Sequence, residues 1–259
     1  MSLYTSVQSE LIKTKRSASF WLSLIGAGVI PLIFFLAYTI KPEKVKGEQL
    51  MMPWESHFFN GWGAFANFLL PMFVILICSQ IPQIEFKNNT WKQVFASPQS
   101  IGNIFFSKYI AIMLMVLFLF LMFNVFMILA GVIPSLFHKN LTFLDKPFNW
   151  GQLFKLNVRS LVSLLGIISI HYWLSLRFKN FIVAIGLGLG LLVTSLILFA
   201  NGWEDISKMP YAFPILTLTG HMKSDNGPFF LNHELNSIGY FVLFSVIAFL
   251  DMKYRKQRG

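Results

Sequence analysis

Long apolar runs separated by short polar islands organise this chain. A run of about 20 mostly apolar residues is the length of helix that crosses a hydrocarbon layer about 30 Å thick. The pattern predicts six such spans, at 19–40, 62–84, 104–133, 158–176, 181–200 and 235–252. Pro31 is expected to kink the first span, and Pro71 and Pro82 fall in or near the end of the second. The third is long enough to tilt. Lys108 lies in its first turn, where it is expected to snorkel toward the headgroups. In the fifth, Gly186 and Gly190 stand in GxxxG register, so a neighbouring helix is expected to approach there.

The polar segments have patterns of their own. Residues 1–16 predict an amphipathic helix lying in the membrane interface, in contact with lipid. Leu3, Val7 and Leu11 recur at i, i+4, i+8 with Tyr4 and Ile12 beside them, and Glu10, Lys13, Lys15 and Arg16 form the polar part. Between the second and third spans, residues 85–103 form a basic island. Its stretch 89–96 predicts a short helix with Trp91, Val94 and Phe95 on one side, ended by Ser97-Pro98. A basic island with an aromatic face suits docking, although an ordinary loop made basic by topology carries the same residues. The loop 201–234 is the longest. Within it, the apolar stretch 209–218 holds Pro210 and Pro214 and is too short to span, which suits an interfacial or re-entrant segment.

Composition supports the membrane reading. Of 259 residues, 55% are hydrophobic and 12% charged, with a mean hydropathy of +0.62; soluble domains carry about 25% charged residues. The apolar run 17–40 is too long for a cleaved signal and no small-x-small site follows it, so it reads as a retained span. The single cysteine, Cys78, excludes an internal disulfide and a thiolate metal cluster. A net charge of +10 suggests nucleic acid in a soluble protein, but here its distribution decides otherwise. Six spans put both termini on one side, together with 12 of the 21 Lys and Arg residues and 3 of the 11 acids. By the positive-inside rule that side is the cytoplasm, facing anionic headgroups or an acidic partner, and no nucleic acid is needed. Lys155 and Arg159 fall on the other side and are expected to snorkel or face a cavity.

Candidate chemistry is sparse. The chain has no GxxxxGK[ST], HExxH or GxSxG, so no catalytic, cofactor-binding or metal-ligating set is expected. His57, His138, His221 and His233 fall in loops and read as solvated. His171 falls within the fourth span and reads as bonded to a neighbouring helix. Asn67 and Asn124, also within spans, either join helices or line a pathway. No carboxylate lies in the middle of a span, which argues against an ion-coupled carrier. A stand-alone enzyme would draw on Glu55, His57, Glu204, Asp205, His221, His233 and Glu234, whose spacing matches no metal or acid–base signature.

Residue-level similarity to a known family lies in two places. Glu85, then Asn88-Asn89-Thr90, the short helix, Ser97-Pro98-Gln99-Ser100 and Ser107-Lys108 resemble the coupling region of type 2 ABC exporter permeases. Glu10, Lys13 and Lys15-Arg16-Ser17 resemble the elbow helix that precedes the first span in that family. The resemblance implies an all-α integral membrane protein with six transmembrane helices, an N-terminal interfacial helix and a short cytoplasmic coupling helix. It implies that Glu85, Asn89, Thr90, Trp91, Val94, Phe95, Ser97, Pro98 and Lys108 form the region that meets a cytosolic ABC ATPase, the subunit that binds ATP-Mg. It also implies a second permease subunit, identical or a sibling, in a bacterial cytoplasmic membrane, and export as the direction. Within the class, the chain is similar to the compact permeases of lantibiotic self-protection exporters.

Overall fold

The computed structural model describes residues 2–15, 17–44, 51–223 and 228–254. Arg16, the basic tail beyond Tyr254 and the side chain of His221 lie outside that description. The described residues are helical, with no strand among them. Among the described residues nine α-helices follow in order, besides three short 3-10 helices: α1 (Leu3–Thr14), α2 (Ala18–Ile40), α3 (Pro53–Lys87), α4 (Trp91–Ala96), α5 (Ile101–Phe137), α6 (Trp150–Arg177), α7 (Phe181–Ala200), α8 (Phe213–Lys223) and α9 (Asn232–Tyr254). Six of them, α2, α3, α5, α6, α7 and α9, are long and apolar enough to cross a membrane. They alternate in direction. The end of the bundle that holds α1, α4 and Tyr254 is called proximal below, and the other end distal.

The spans match the apolar runs closely for α2 and α7 but extend beyond them elsewhere. The largest difference is at α3, which starts at Pro53, nine residues before the predicted 62. Proline at the first helical position loses no intrahelical bond and has its φ preset. The polar residues that made this stretch read as a loop are partly buried in the helix. His57 is 1% exposed. Its Nε2 donates to the Met127 carbonyl at 2.8 Å and its Nδ1 accepts from the Tyr38 hydroxyl at 3.1 Å. Trp54 Nε1 donates to the Phe143 carbonyl at 2.9 Å. His57 and His233 are therefore packed and bonded rather than solvated.

The prolines within α3 are accommodated by specific devices. Before Pro71 the helix widens into a π turn, Phe65–Leu69, and the Leu70 N–H reaches back to the Phe65 carbonyl. Pro82 cannot donate to the Cys78 carbonyl four residues earlier. Ser175 of α6 donates to that carbonyl instead, at 3.1 Å. Gln83 adds bonds to the Ser175 and Phe178 carbonyls at 3.3 and 2.8 Å, joining the proximal ends of α3 and α6. In apolar surroundings an unsatisfied carbonyl costs several kcal/mol, so these bonds fix the register of the pair.

Helices α6 and α9 pack through small residues. The Gly166 N–H donates to Ser237 Oγ at 3.0 Å, and that hydroxyl donates to the Ser163 carbonyl at 3.1 Å. Asn124 of α5 and Asn157 of α6 exchange amide bonds at 2.7 and 3.3 Å. Asn124 thus joins helices, whereas Asn67 is exposed on the outside of the π turn.

In the fifth span, the glycine packed within this chain is not one of the GxxxG pair. A Cβ at Gly186 or Gly190 would meet open space within this chain. Gly188, two positions away and on the opposite face, is the packing glycine. A Cβ there would sit 2.7 Å from His171 Nε2 and 2.8 Å from an Ile75 methyl. Gly188→Ala is expected to cost about 1–3 kcal/mol by overpacking, whereas Gly186→Ala and Gly190→Ala leave stability unchanged. Thermal unfolding of the three purified variants separates these outcomes, and equal melting would reject the assignment.

The chain between α7 and α9 folds back into the bundle. Tyr211 bonds His171 Nε2 at 2.9 Å. His171 lies six residues from the proximal end of α6, about 9 Å along the helix axis. The Tyr240 hydroxyl donates to the Lys208 carbonyl at 2.9 Å. The apolar stretch around Pro210 thus descends past the middle of the bundle, and α8 returns toward the distal end. There Arg159 Nε donates to Glu234 Oε1 at 2.9 Å, with both side chains at most 2% exposed. The second Glu234 oxygen accepts the Leu231 N–H at 2.9 Å, and Thr217 of α8 bonds His233 Nε2 at 3.0 Å. Arg159 neither snorkels nor opens onto a cavity; it fastens α6 to the start of α9.

Candidate functional site

The site begins where α3 ends. Asn89 takes a left-handed φ of +53°, a conformation asparagine tolerates better than most residues. This turns the chain so that the Thr90 N–H reaches the Glu85 carbonyl at 3.0 Å. Helix α4 then starts at Trp91, two residues after the predicted start. Ser97 Oγ donates to the Val94 carbonyl at 2.6 Å, and Pro98 prevents continuation. Ser100 opens α5 by accepting the Asn103 N–H at 3.1 Å.

Trp91, Val94 and Phe95 are half-buried, and their side of α4 faces its own chain. The Trp91 ring stacks on Phe95 at 5.4 Å and contacts Phe86 at 5.3 Å. Lys108 Nζ lies 5.4 Å from the Trp91 ring centroid. Trp91 thus anchors α4 on the bundle, while Trp91, Val94 and Phe95 all keep part of their surface open. The exposed residues are Lys92, Gln93 and Ala96 of α4, with Lys87, Asn88 and Asn89 at the preceding turn.

Behind α4 lies a ring of four charges from three helices. Lys108 Nζ is 2.9 Å from Glu10 Oε2 and 2.8 Å from Glu85 Oε1. Lys13 Nζ is 2.7 Å from Glu10 Oε1 and 3.0 Å from Glu85 Oε1. The signs alternate around the ring and cancel. Lys108 is 0% and Glu85 1% exposed, so the expected snorkelling of Lys108 is replaced by an inward ion pair. The ammonium is fully enclosed by protein, and two carboxylates are within its reach. Burial opposes ionisation of Glu10, but the Lys108 charge, then Lys13, outweigh it and hold the carboxyl below its ordinary value. Burial likewise opposes the charge on Lys13, yet its bond to Glu10 and the charges of Glu10 and Glu85 raise its ammonium above the ordinary value.

The ring explains the orientation of α1. Its buried residues are Ser6, Glu10 and Thr14, whereas Leu3, Tyr4 and Ile12 are exposed. The polar Ser6, Glu10 and Thr14 thus face protein, while Leu3, Tyr4 and Ile12 face outward beside Thr5, Gln8 and Ser9. Lys15 is exposed and takes no part in the ring. Ser6 Oγ donates to Gln99 Oε1 at 3.0 Å, tying α1 to the segment after α4. Between α1 and α4 is a cavity of about 360 Å³, bordered by Ser9, Lys13, Glu85, Asn88 and Gln93.

Periodicity did not reveal the ring, since its members lie in separate elements. The available signal was charge isolation: Glu10 and Glu85 are lone acids in basic segments, and Lys108, like Arg159, is a cation inside an apolar run. Of the side chains proposed for a stand-alone enzyme, His221 lies outside the described ones, and among the described ones only the neighbours His233 and Glu234 come together, at 3.9 Å. Glu234 is held by Arg159, His57 by Tyr38 and Met127, and Asp205 by Lys208. Among the described residues no group of three His, Cys, Asp or Glu could hold a metal ion.

No curated protein matches the chain. A profile of ABC-2 family transporter proteins matches residues 6–195, which takes in α1, the charge ring, α4 and the first five spans. The chain is therefore a multi-pass membrane protein that belongs to the ABC-2 family of transporter proteins.

Proposed function

We propose that this chain is the membrane-spanning subunit of an ATP-driven exporter, paired with a second permease subunit and served by a separate cytosolic ATPase that binds ATP-Mg. The proximal end lies in the cytoplasm of a bacterial cell. The excess of Lys and Arg at that end supports this orientation. The ATPase docks on the exposed edge of α4, formed by Lys92, Gln93 and Ala96, and on the basic turn before it. The observation that carries the proposal is the charge ring directly behind α4. Because Glu85 lies in the last turn of α3, Lys108 near the start of α5 and Glu10 in α1, a displacement of α4 moves two spans and the interfacial helix together. Closure of the ATPase dimer would thereby reshape the membrane path. A role in peptide-antibiotic self-protection is proposed on the resemblance at 85–108, and the six apolar spans are compatible with it.

The test uses the exposed edge, so that anchoring is left intact. Lys92→Glu combined with Ala96→Glu is expected to abolish co-purification of the ATPase, while the permease keeps its detergent elution profile. Undiminished co-purification of the ATPase with the double variant would reject docking on α4.

A further inference from the structure

At the distal end, the first turns of α3 and α6 and the middle of α8 enclose a cleft of about 630 Å³. Its floor is rigid. Trp54, Phe58, Leu156 and Leu218 are each 6–7% exposed, and the Trp54 ring is held by its bond to the Phe143 carbonyl and by edge contacts to Phe143 and Phe148. Its rim is apolar and open: Met51, Met52 and Phe59 are 74%, 59% and 38% exposed. One lining side chain is ionisable, Glu55, and it forms no ion pair among the described residues. Gln152 adds an amide at the edge.

From these features we infer that the cleft binds an amphipathic organic cation. A carboxylate set among aromatic rings and thioethers matches an alkylated ammonium, which offers charge to Glu55, a polarised methyl surface to the rings and a tail to the methionines. An inorganic cation needs several oxygen ligands, and one carboxylate does not supply them. An anion meets the charge of Glu55, and a neutral apolar ligand gains no attraction from it. The volume suits a ligand of drug size. Two sources share this chemistry: a soluble cationic amphipath, or the amine headgroup of a membrane lipid. As a cargo site the cleft rests on the export reading above; as a binding site it belongs to this chain alone.

The experiment therefore uses the full chain without ATPase, in nanodiscs of phosphatidylglycerol. Binding of 4-phenylbutyltrimethylammonium is followed by tryptophan fluorescence. Saturable binding is expected, weakened about tenfold or more by Glu55→Gln, with 4-phenylbutanol no tighter on the native chain than on the variant. Glu55 is exposed, so the variant should fold, and an unchanged elution profile checks this. Phe59→Ala on the rim is expected to weaken the cation as well. Equal binding of 4-phenylbutyl sulfonate, or native affinity in Glu55→Gln, would overturn the inference. Repeating the titration with phosphatidylethanolamine in the disc separates the sources: competition assigns the site to a lipid amine, and undisturbed binding assigns it to a soluble cation. Failure here leaves ATPase docking on α4 intact, since that is read by co-purification.

Discussion

Lys108→Met is expected to destabilise the protein by about 3–5 kcal/mol, the range for removing one partner from a buried charge pair. The substitution preserves the length and packing of the stem but leaves Glu10 and Glu85 facing each other with only the half-exposed Lys13 between them. It also removes the cation over the Trp91 ring, so α4 loses part of its anchor. Loss of charge balance, rather than loss of volume, is the cause, and a second substitution should show it. Lys108→Met with Glu85→Gln restores neutrality and is expected to recover most of the stability, since a buried ion pair and a neutral replacement are often of similar energy. Thermal unfolding in detergent measures both. A single variant as stable as the native chain, or a double variant no better than the single, would show that the ring does not hold α1, α3 and α5 together.

Arg159→Met is expected to have an effect of similar size at the other end. Glu234 is 0% exposed, and one of its oxygens depends on Arg159. The other caps the Leu231 N–H, so the carboxylate cannot turn toward solvent without uncapping α9. The unpaired charge costs about 3–5 kcal/mol. The strain falls on the segment between α7 and α9, because His233 beside Glu234 also bonds Thr217 of α8. Limited proteolysis should show faster cleavage within 201–231 in Arg159→Met. Arg159→Met with Glu234→Gln should regain protection. Native cleavage rates in the single variant would mean that the pair does not fasten the re-entering segment.

Much of the fold was legible in the sequence because the bilayer permits few spanning structures: a long apolar run has little choice but to be a helix. The bounds 181–200 of the fifth span are those of α7 for this reason. The start of α3 was hidden because Glu55, Ser56, His57 and Asn60 dilute its hydropathy, and only tertiary bonds to Tyr38 and Met127 reveal His57 as interior. The close packing at Gly188 was not legible, because GxxxG describes one face of a helix and cannot say which face meets a neighbour within the chain; Gly188 lies on the other. The short helix and its proline stop were legible, since local turn chemistry sets them. The ring was not, because complementary charges in distant segments announce a pairing only after the helices are placed. The inward aim of Lys108 follows from that placement and from nothing in its own neighbourhood.

The charge ring also constrains how the chain is made. Glu10 and Lys108 are 98 positions apart, a delay of about 5–20 s at usual rates of synthesis. Until Lys108 emerges, the newborn N-terminal helix has no complete polar seat and must ride on the lipid surface by its apolar side. A nascent chain that inserts its third hydrophobic segment in the wrong orientation carries Lys108 to the opposite leaflet and strands two carboxylates beneath the membrane surface. Closure of the ring therefore requires the first and third hydrophobic segments to have the same entry side for their charged flanks.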